Sequence, residues 1–205
     1  MLRLPVGSAR AYQAAFLTAT LLAVPAIGRT APVDAGAATV RTSNIRIDNF
    51  GEVSPAYYRG GQPKDRDYGD LASLGVKTVI NLTSDDADAS EKAMAAGAGL
   101  KYFQIPMTTH RVPTAGQLAE FLRIVGDAAN QPVYVHCVGG RHRTGVMTAI
   151  YRITHDGWDA ARAFAEMKHY GFGADFLHSE FKDFVFGYRA DAAQLATAAH
   201  VKAGS

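Results

Sequence analysis

Cys137 is the single cysteine of this 205-residue chain, and the stretch His136-Cys137-Val138-Gly139-Gly140-Arg141-His142-Arg143-Thr144-Gly145 constrains the fold more than any other. The apolar run Pro132-Val133-Tyr134-Val135 ahead of it reads as a short buried strand, and Thr144 to His155 behind it carries the apolar spacing of a helix. The loop therefore joins the end of a strand to the start of a helix. In that place it gathers orphan N–H groups and a positive helix end, and Gly139 and Gly140 let the backbone curl round an anion. The same field favours a thiolate over a thiol at Cys137, which makes the sulfur a nucleophile. Arg143 returns round the loop and can offer its planar fork to two phosphoryl oxygens, which a lysine, as a point charge, cannot do.

Strand and helix signals alternate along the rest of the chain. Phe50 to Pro63 holds one or two strands with turns, Asp67 to Leu74 is helical and closed by Gly75, and Val76 to Leu82 is β-rich. Asp85 to Gly99 reads as a helix, Leu100 to Ile105 as a strand, and Thr114 to Ala129 as an amphipathic helix presenting Leu118, Phe121, Leu122 and Val125 on one face. Trp158 to Tyr170 and Ala174 to about Gly187 are helical, and the Ala-rich end from Ala190 reads as an extension of the last helix or a tail. This order predicts an α/β fold, a central, mostly parallel sheet flanked by helices, with the chemistry at the carboxyl ends of the strands.

An apolar content of 48% over 205 residues suffices for one such domain with an extension. The formal charge is only +2, and Arg3 and Arg10 fall in a segment expected to be removed, so a nucleic-acid footprint is excluded. Those arginines precede the apolar, uncharged run Ala11 to Val24, the pattern of an export signal. The run is too short for a stable span, which needs about 20 residues. The expected organisation is a signal peptide over residues 1–26, with cleavage between 26 and 37, a linker over 27–44, a catalytic domain over 45–189 and a C-terminal helical extension or tail over 190–205. The mature protein is then periplasmic or otherwise exported, and its lone cysteine has no intramolecular disulfide partner.

The Cys-x5-Arg-Thr-Gly segment resembles the signature loop of cysteine-dependent protein tyrosine and dual-specificity phosphatases, and matches it at every fixed position. The resemblance implies a two-step reaction with no metal or other cofactor: Cys137 takes the phosphoryl group and water releases it. It implies that Arg143 binds the phosphoryl group, that the Thr144 hydroxyl supports the thiolate and that His136 orients the loop. Val138, Gly139, Gly140, Arg141 and His142 complete the substrate-binding loop. A rhodanese-type sulfurtransferase also seats a thiolate between strand and helix, but its shorter loop would place the closing arginine at His142.

Tyr58-Arg59-Gly60-Gly61-Gln62-Pro63 and the strand Gly75 to Leu82 are similar to atypical dual-specificity phosphatases of plants and fungi, which include inositol pyrophosphate phosphatases. Exported bacterial tyrosine phosphatases share these features together with Tyr151-Arg152-Ile153, Trp158, Glu166-Met167 and Gly171-Phe172, and the export signal favours that group. Arg59 reads as a structural ion-pair partner in preference to a ligand contact. One departure concerns the acid that protonates the leaving group. The loop Ile105 to Pro113 lacks a carboxylate, and His110 stands where related enzymes carry Asp; an imidazolium can donate a proton near neutrality. The alternatives are Asp85, Asp86 or Asp88 after the preceding strand, or no side-chain acid at all. The expected substrates are phosphorylated proteins, with phosphotyrosine first. Inositol phosphates, pyrophosphates or other small phosphate esters are the second reading, and a phosphate-binding pseudophosphatase the third.

Overall fold

The computed structural model describes residues 45–84 and 86–191. The expected signal peptide, the linker, Asp85 and the tail from residue 192 lie outside the described residues. Five strands, β1 (Gly51–Ser54), β2 (Tyr57–Gly60), β3 (Thr78–Thr83), β4 (Lys101–Met107) and β5 (Val133–His136), form one sheet in the order β1-β2-β5-β3-β4. All pairings are parallel except the β1–β2 hairpin. The helices are α1 (Asp67–Leu74), α2 (Glu91–Gly97), α3 (Ala115–Gly126), α4 (Arg143–His155), α5 (Ala160–His169) and α6 (Ser179–Gly187). The expected mostly parallel α/β sheet is what forms.

Residue alternation along the strands divides the core in two. Tyr57, Ile80, Val133 and Val135 pack with Phe121, Ile124, Met147 and Ile150 of α3 and α4. Their neighbours Tyr58, Val79 and Tyr134 pack with Tyr68, Leu71 and Ala95 of α1 and α2. Covered on both faces, β5 is buried along its whole length, which is why it reads as an apolar run without alternation. A third cluster joins Val146 and Ala149 of α4 to Ala163, Phe164 and Met167 of α5 and Phe181 and Val185 of α6. Among the described residues no helix is long and apolar enough to cross a membrane.

Two helical expectations are corrected. The helix expected from residue 85 starts only at Glu91, because the Asp88 carboxylate accepts from the Ser90 N–H at 2.8 Å and its hydroxyl at 2.7 Å, a turn that competes with helix. The helix expected from Ala174 is divided: a 3-10 turn spans Asp175–His178, and His178, at φ −141° and ψ 51°, separates it from α6. Helix α6 ends at Gly187, where Tyr188 turns extended and places its hydroxyl 2.9 Å from Thr154 Oγ1; the expected C-terminal extension or tail lies, beyond Asp191, outside the described residues. Elsewhere the expected ends hold closely. Thr114 opens α3 with a capping box, its hydroxyl accepting from the Gln117 N–H at 3.2 Å while the Gln117 side-chain Oε1 accepts from the Thr114 N–H at 2.7 Å.

Arg152 ties α4 to α5. Its guanidinium donates to Glu166 at 2.7 Å and Asp156 at 2.8 Å, and lies 4.2 Å from the centre of the Trp158 ring. Arg152 and Glu166 are only 12% and 15% exposed, so removing the cation strands a carboxylate in a mostly dry place. Arg152→Ala is expected to cost about 3 kcal/mol of stability in urea unfolding, with turnover per folded molecule nearly unchanged.

Candidate active site

The register of the central strands decides where the Cys137 loop emerges. Gly60 of β2 and Asn81 of β3 stand beside His136, the last residue of β5, so the loop leaves the carboxyl edge of the sheet between two neighbours that can hold it. Four successive carbonyls of the loop face outside partners. The Gln62 N–H donates to the Val138 carbonyl at 2.9 Å, Asn49 Nδ2 to the Gly139 carbonyl at 2.7 Å and Arg59 Nη2 to the Gly140 carbonyl at 2.6 Å. His136 Nδ1 faces the Cys137 carbonyl at 3.4 Å. In a planar trans peptide each C=O points opposite to the following N–H. Carbonyls drawn outward therefore turn the N–H groups of Val138, Gly139, Gly140 and Arg141 inward, a cradle for an anion closed by the start of α4. Gly140 sits at φ +66°, and a Cβ there would come within 2.4 Å of the Gly60 carbonyl carbon, so only glycine permits this approach of loop to strand.

The cradle lines a cavity of about 340 Å³ whose walls bring Cys137, Val138, Gly139, Arg141, His142 and Arg143 together with Asp86 and Thr109. Cys137 is 3% exposed and Arg143 2%. Arg143 grips both oxygens of Asp86, at 2.8 and 2.6 Å, and donates to the Met107 carbonyl at 3.0 Å. Burial works against the arginine's charge, but the Asp86 carboxylate and the Cys137 sulfur outweigh it and raise its pKa. The Arg143 hydrogen bonds hold Asp86 well below the usual carboxylate range. At neutral pH Asp86 is thus an anion seated in the fork that a phosphoryl group would use.

Other expected residues fall around this centre. His136 is fully buried, and its Nε2 lies 2.6 Å from Glu91 Oε1, outside hydrogen-bond alignment, while Asn81 Nδ2 donates to Glu91 Oε2 at 2.5 Å. Thr144 is buried with its hydroxyl unpartnered among the described residues, so it makes no hydrogen bond to the sulfur it was expected to support. His110 is exposed and stacks on His178 at 5.4 Å; it is Thr109 that faces the cavity. Asp88 is spent on Ser90, outside the cavity. Arg59 corrects the ion-pair expectation: fully buried, it holds a loop carbonyl and lies 4.0 Å from the centre of the Tyr170 ring, with no carboxylate partner among the described residues. Burial lowers its pKa. Burial, then the neighbouring His178, lowers that of His142, whose Nε2 lies 3.1 Å from the Phe172 carbonyl.

Sequence reasoning missed Asn49 and Glu91. Asn49, at φ +53°, adopts the left-handed conformation that Asn tolerates, a faint signal; a glutamate in a helix's first turn reads as solvent-exposed and gives none.

The family described as DSP-PTPase phosphatase fused to NAD+ kinase matches residues 28–183. The chain belongs to this DSP-PTPase family. The dual specificity protein phosphatase TpbA of Pseudomonas aeruginosa is 31% identical to this DSP-PTPase over 198 residues, 97% of this chain and 88% of TpbA. A crystal structure of TpbA aligns with a TM-score of 0.62 at 33% identity, over 74% of this chain and 91% of that chain. The inositol diphosphatase Siw14 of Saccharomyces cerevisiae is 27% identical over 133 residues, 62% of this chain and 47% of its own length. Its catalytic core shares the fold at a TM-score of 0.66 and 24% identity, over 76% of this chain and 93% of that chain. This DSP-PTPase is a cysteine-dependent phosphatase, a phosphoric monoester hydrolase.

In this DSP-PTPase, Gly140→Ala is expected to weaken phosphate binding at least tenfold in calorimetric titration, because a left-handed Cβ pressed on Gly60 must push the cradle open.

Proposed function

We propose that this DSP-PTPase hydrolyses phosphotyrosine, and with less selectivity phosphoserine and phosphothreonine, in exported proteins, through a phosphocysteine and without a metal ion. The observation that carries the reading is the sharing of one cavity by the buried Cys137 sulfur, the Arg143 fork and an inward-turned amide cradle. In the first step the thiolate of Cys137 attacks phosphorus, the bond to the leaving oxygen breaks, and Arg143 with the loop amides holds the charge on the three remaining oxygens. In the second, water attacks phosphorus, the P–S bond breaks, and the electron pair returns to sulfur. His136 acts as a positioning residue. Export is supported by Arg3, Arg10 and the run Ala11 to Val24; the proposed organisation is a signal peptide over residues 1–26 with cleavage between 26 and 37, a linker over 27–44, the catalytic domain over 45–189 and a C-terminal helical extension or tail over 190–205.

The geometry favours Asp86 over His110 as the acid. A phosphoryl dianion entering the cradle takes the Arg143 fork, so Asp86 loses its cation, faces a like charge and gains affinity for a proton. It can pass that proton to the leaving oxygen and later accept one from water.

The protein reading is supported by the resemblance to TpbA, one variant of which has been crystallised with pTyr. The small-molecule reading is supported by the resemblance to the inositol diphosphatases. A crowded polyanion needs a cationic rim, however, and burial with the neighbouring His178 disfavours the charged form of His142. The protein substrate is therefore the first choice.

Cys137→Ser is expected to abolish hydrolysis of an aryl phosphate while preserving phosphate affinity, and EDTA not to lower the wild-type rate; turnover by the serine variant would refute the covalent route. A panel of phosphotyrosine peptide, phosphoserine peptide and inositol polyphosphate should rank in that order by kcat/KM. Asp86→Asn should lower kcat on phosphotyrosine by about 100-fold, lower it less on an aryl phosphate with a better leaving group, and reduce KM because the fork is freed. The same pattern in His110→Ala, with Asp86→Asn near wild type, would transfer the role to His110.

A further inference from the structure

We infer that His110, His178 and Glu180 form a binding site for a divalent zinc ion beside the cavity mouth, and that zinc bound there restrains the phosphatase. One ligand atom from each of the three lies within 4.8 Å of the others. Two imidazoles and a carboxylate suit Zn²⁺ more than Mg²⁺ or Ca²⁺, and three protein ligands leave a fourth tetrahedral position for water. Tetrahedral bonds of about 2.0 Å put ligand atoms roughly 3.3 Å apart. His178 Nδ1 and Glu180 Oε1 already stand at 3.4 Å, so closure asks mainly for a small rotation of the exposed His110.

The anchor of this site is rigid. His178 is only 12% exposed on its side chain, with its ring stacked on Phe181 at 5.8 Å and tilted against His142 at 3.9 Å. Glu180 follows two residues later in the first turn of α6, so both ligands move with one helix end. His110 comes from the connection between β4 and α3, next to Thr109, which lines the cavity. A bound ion therefore ties the Thr109 segment to the element that supports His142, across two walls of the same cavity. Zinc bound there would oppose any parting of those walls by an entering phosphorylated side chain. Binding stands independently of the phosphatase reading; the inhibition rests on it.

The test uses full-length protein freed of metal, titrated with ZnCl₂ by calorimetry and with CoCl₂ by visible absorption, comparing wild type with His178→Gln, Glu180→Gln and Cys137→Ser. Expected are one zinc per chain, a tetrahedral cobalt spectrum without a sulfur-to-cobalt charge-transfer band, unchanged affinity in Cys137→Ser, and affinity at least tenfold weaker in both other variants. Glu180→Gln keeps the shape of a half-buried side chain and so decides the matter even if His178→Gln misfolds. It should also need at least tenfold more zinc for half-inhibition, with its zinc-free rate intact. Absence of stoichiometric binding, unchanged affinity in Glu180→Gln, or a charge-transfer band that Cys137→Ser removes would overturn the site. Zinc held by these residues with no loss of turnover would overturn the restraint. A failure of the phosphatase reading would show separately, as aryl phosphate turnover that survives Cys137→Ser without zinc.

Discussion

The outward pull on four carbonyls, those of residues 137 to 140, is the constraint on which the active site depends. An amide cradle has no side chains to aim; its donors point inward only because the opposite ends of the same peptide planes are held. Asn49, Arg59, the Gln62 backbone and His136 do that holding, and they reach the loop from β2, its flanking turns and the end of β5. The buried charge of Arg59 is consistent with this use. A guanidinium shielded by Tyr170 makes a stronger bond to the Gly140 carbonyl in a dry setting than it could in water.

The same edge of the sheet supplies a built-in occupant for the fork. Asp86, just beyond the end of β3, neutralises Arg143 while the cavity holds no anion, which spares the structure an unpaired buried guanidinium. In the proposed mechanism, substrate binding is then an exchange of one anion for another. Such an exchange discriminates in favour of groups with more charge than a carboxylate, as a phosphate dianion has, and it changes the environment of the displaced acid at the moment when a proton is needed.

Much of the fold was legible because local chemistry and tertiary position agree. The β5 run, the glycines of the loop, the helix start at Thr114 and the Gly75 stop each announce themselves within a few residues, and each lies where expected. The start of α2 was not legible, since the Asp88 turn competes with a helix that the composition also permits. Glu91 was invisible for a different reason. Its burial depends on Asn81 and His136 arriving from two other strands, and nothing near it in the chain marks it as anything but a surface acid. The choice between Asp86 and His110 was likewise beyond reach, because both follow strands that end at the same edge.

What the amino-acid order alone determined is the pairing of Cys137 with Arg143 and the strand-loop-helix that carries them, since five intervening residues set their spacing through bonds and local dihedrals. Only the folded chain decided which carboxylate sits in the fork, what Arg59 is for and that His110 meets His178 and Glu180. Those contacts join residues 57 to 81 positions apart in the sequence, or the separate segments around residues 110 and 178, and such distant pairs meet only through the register of β2, β5 and β3 and the packing of α6 beside the loop.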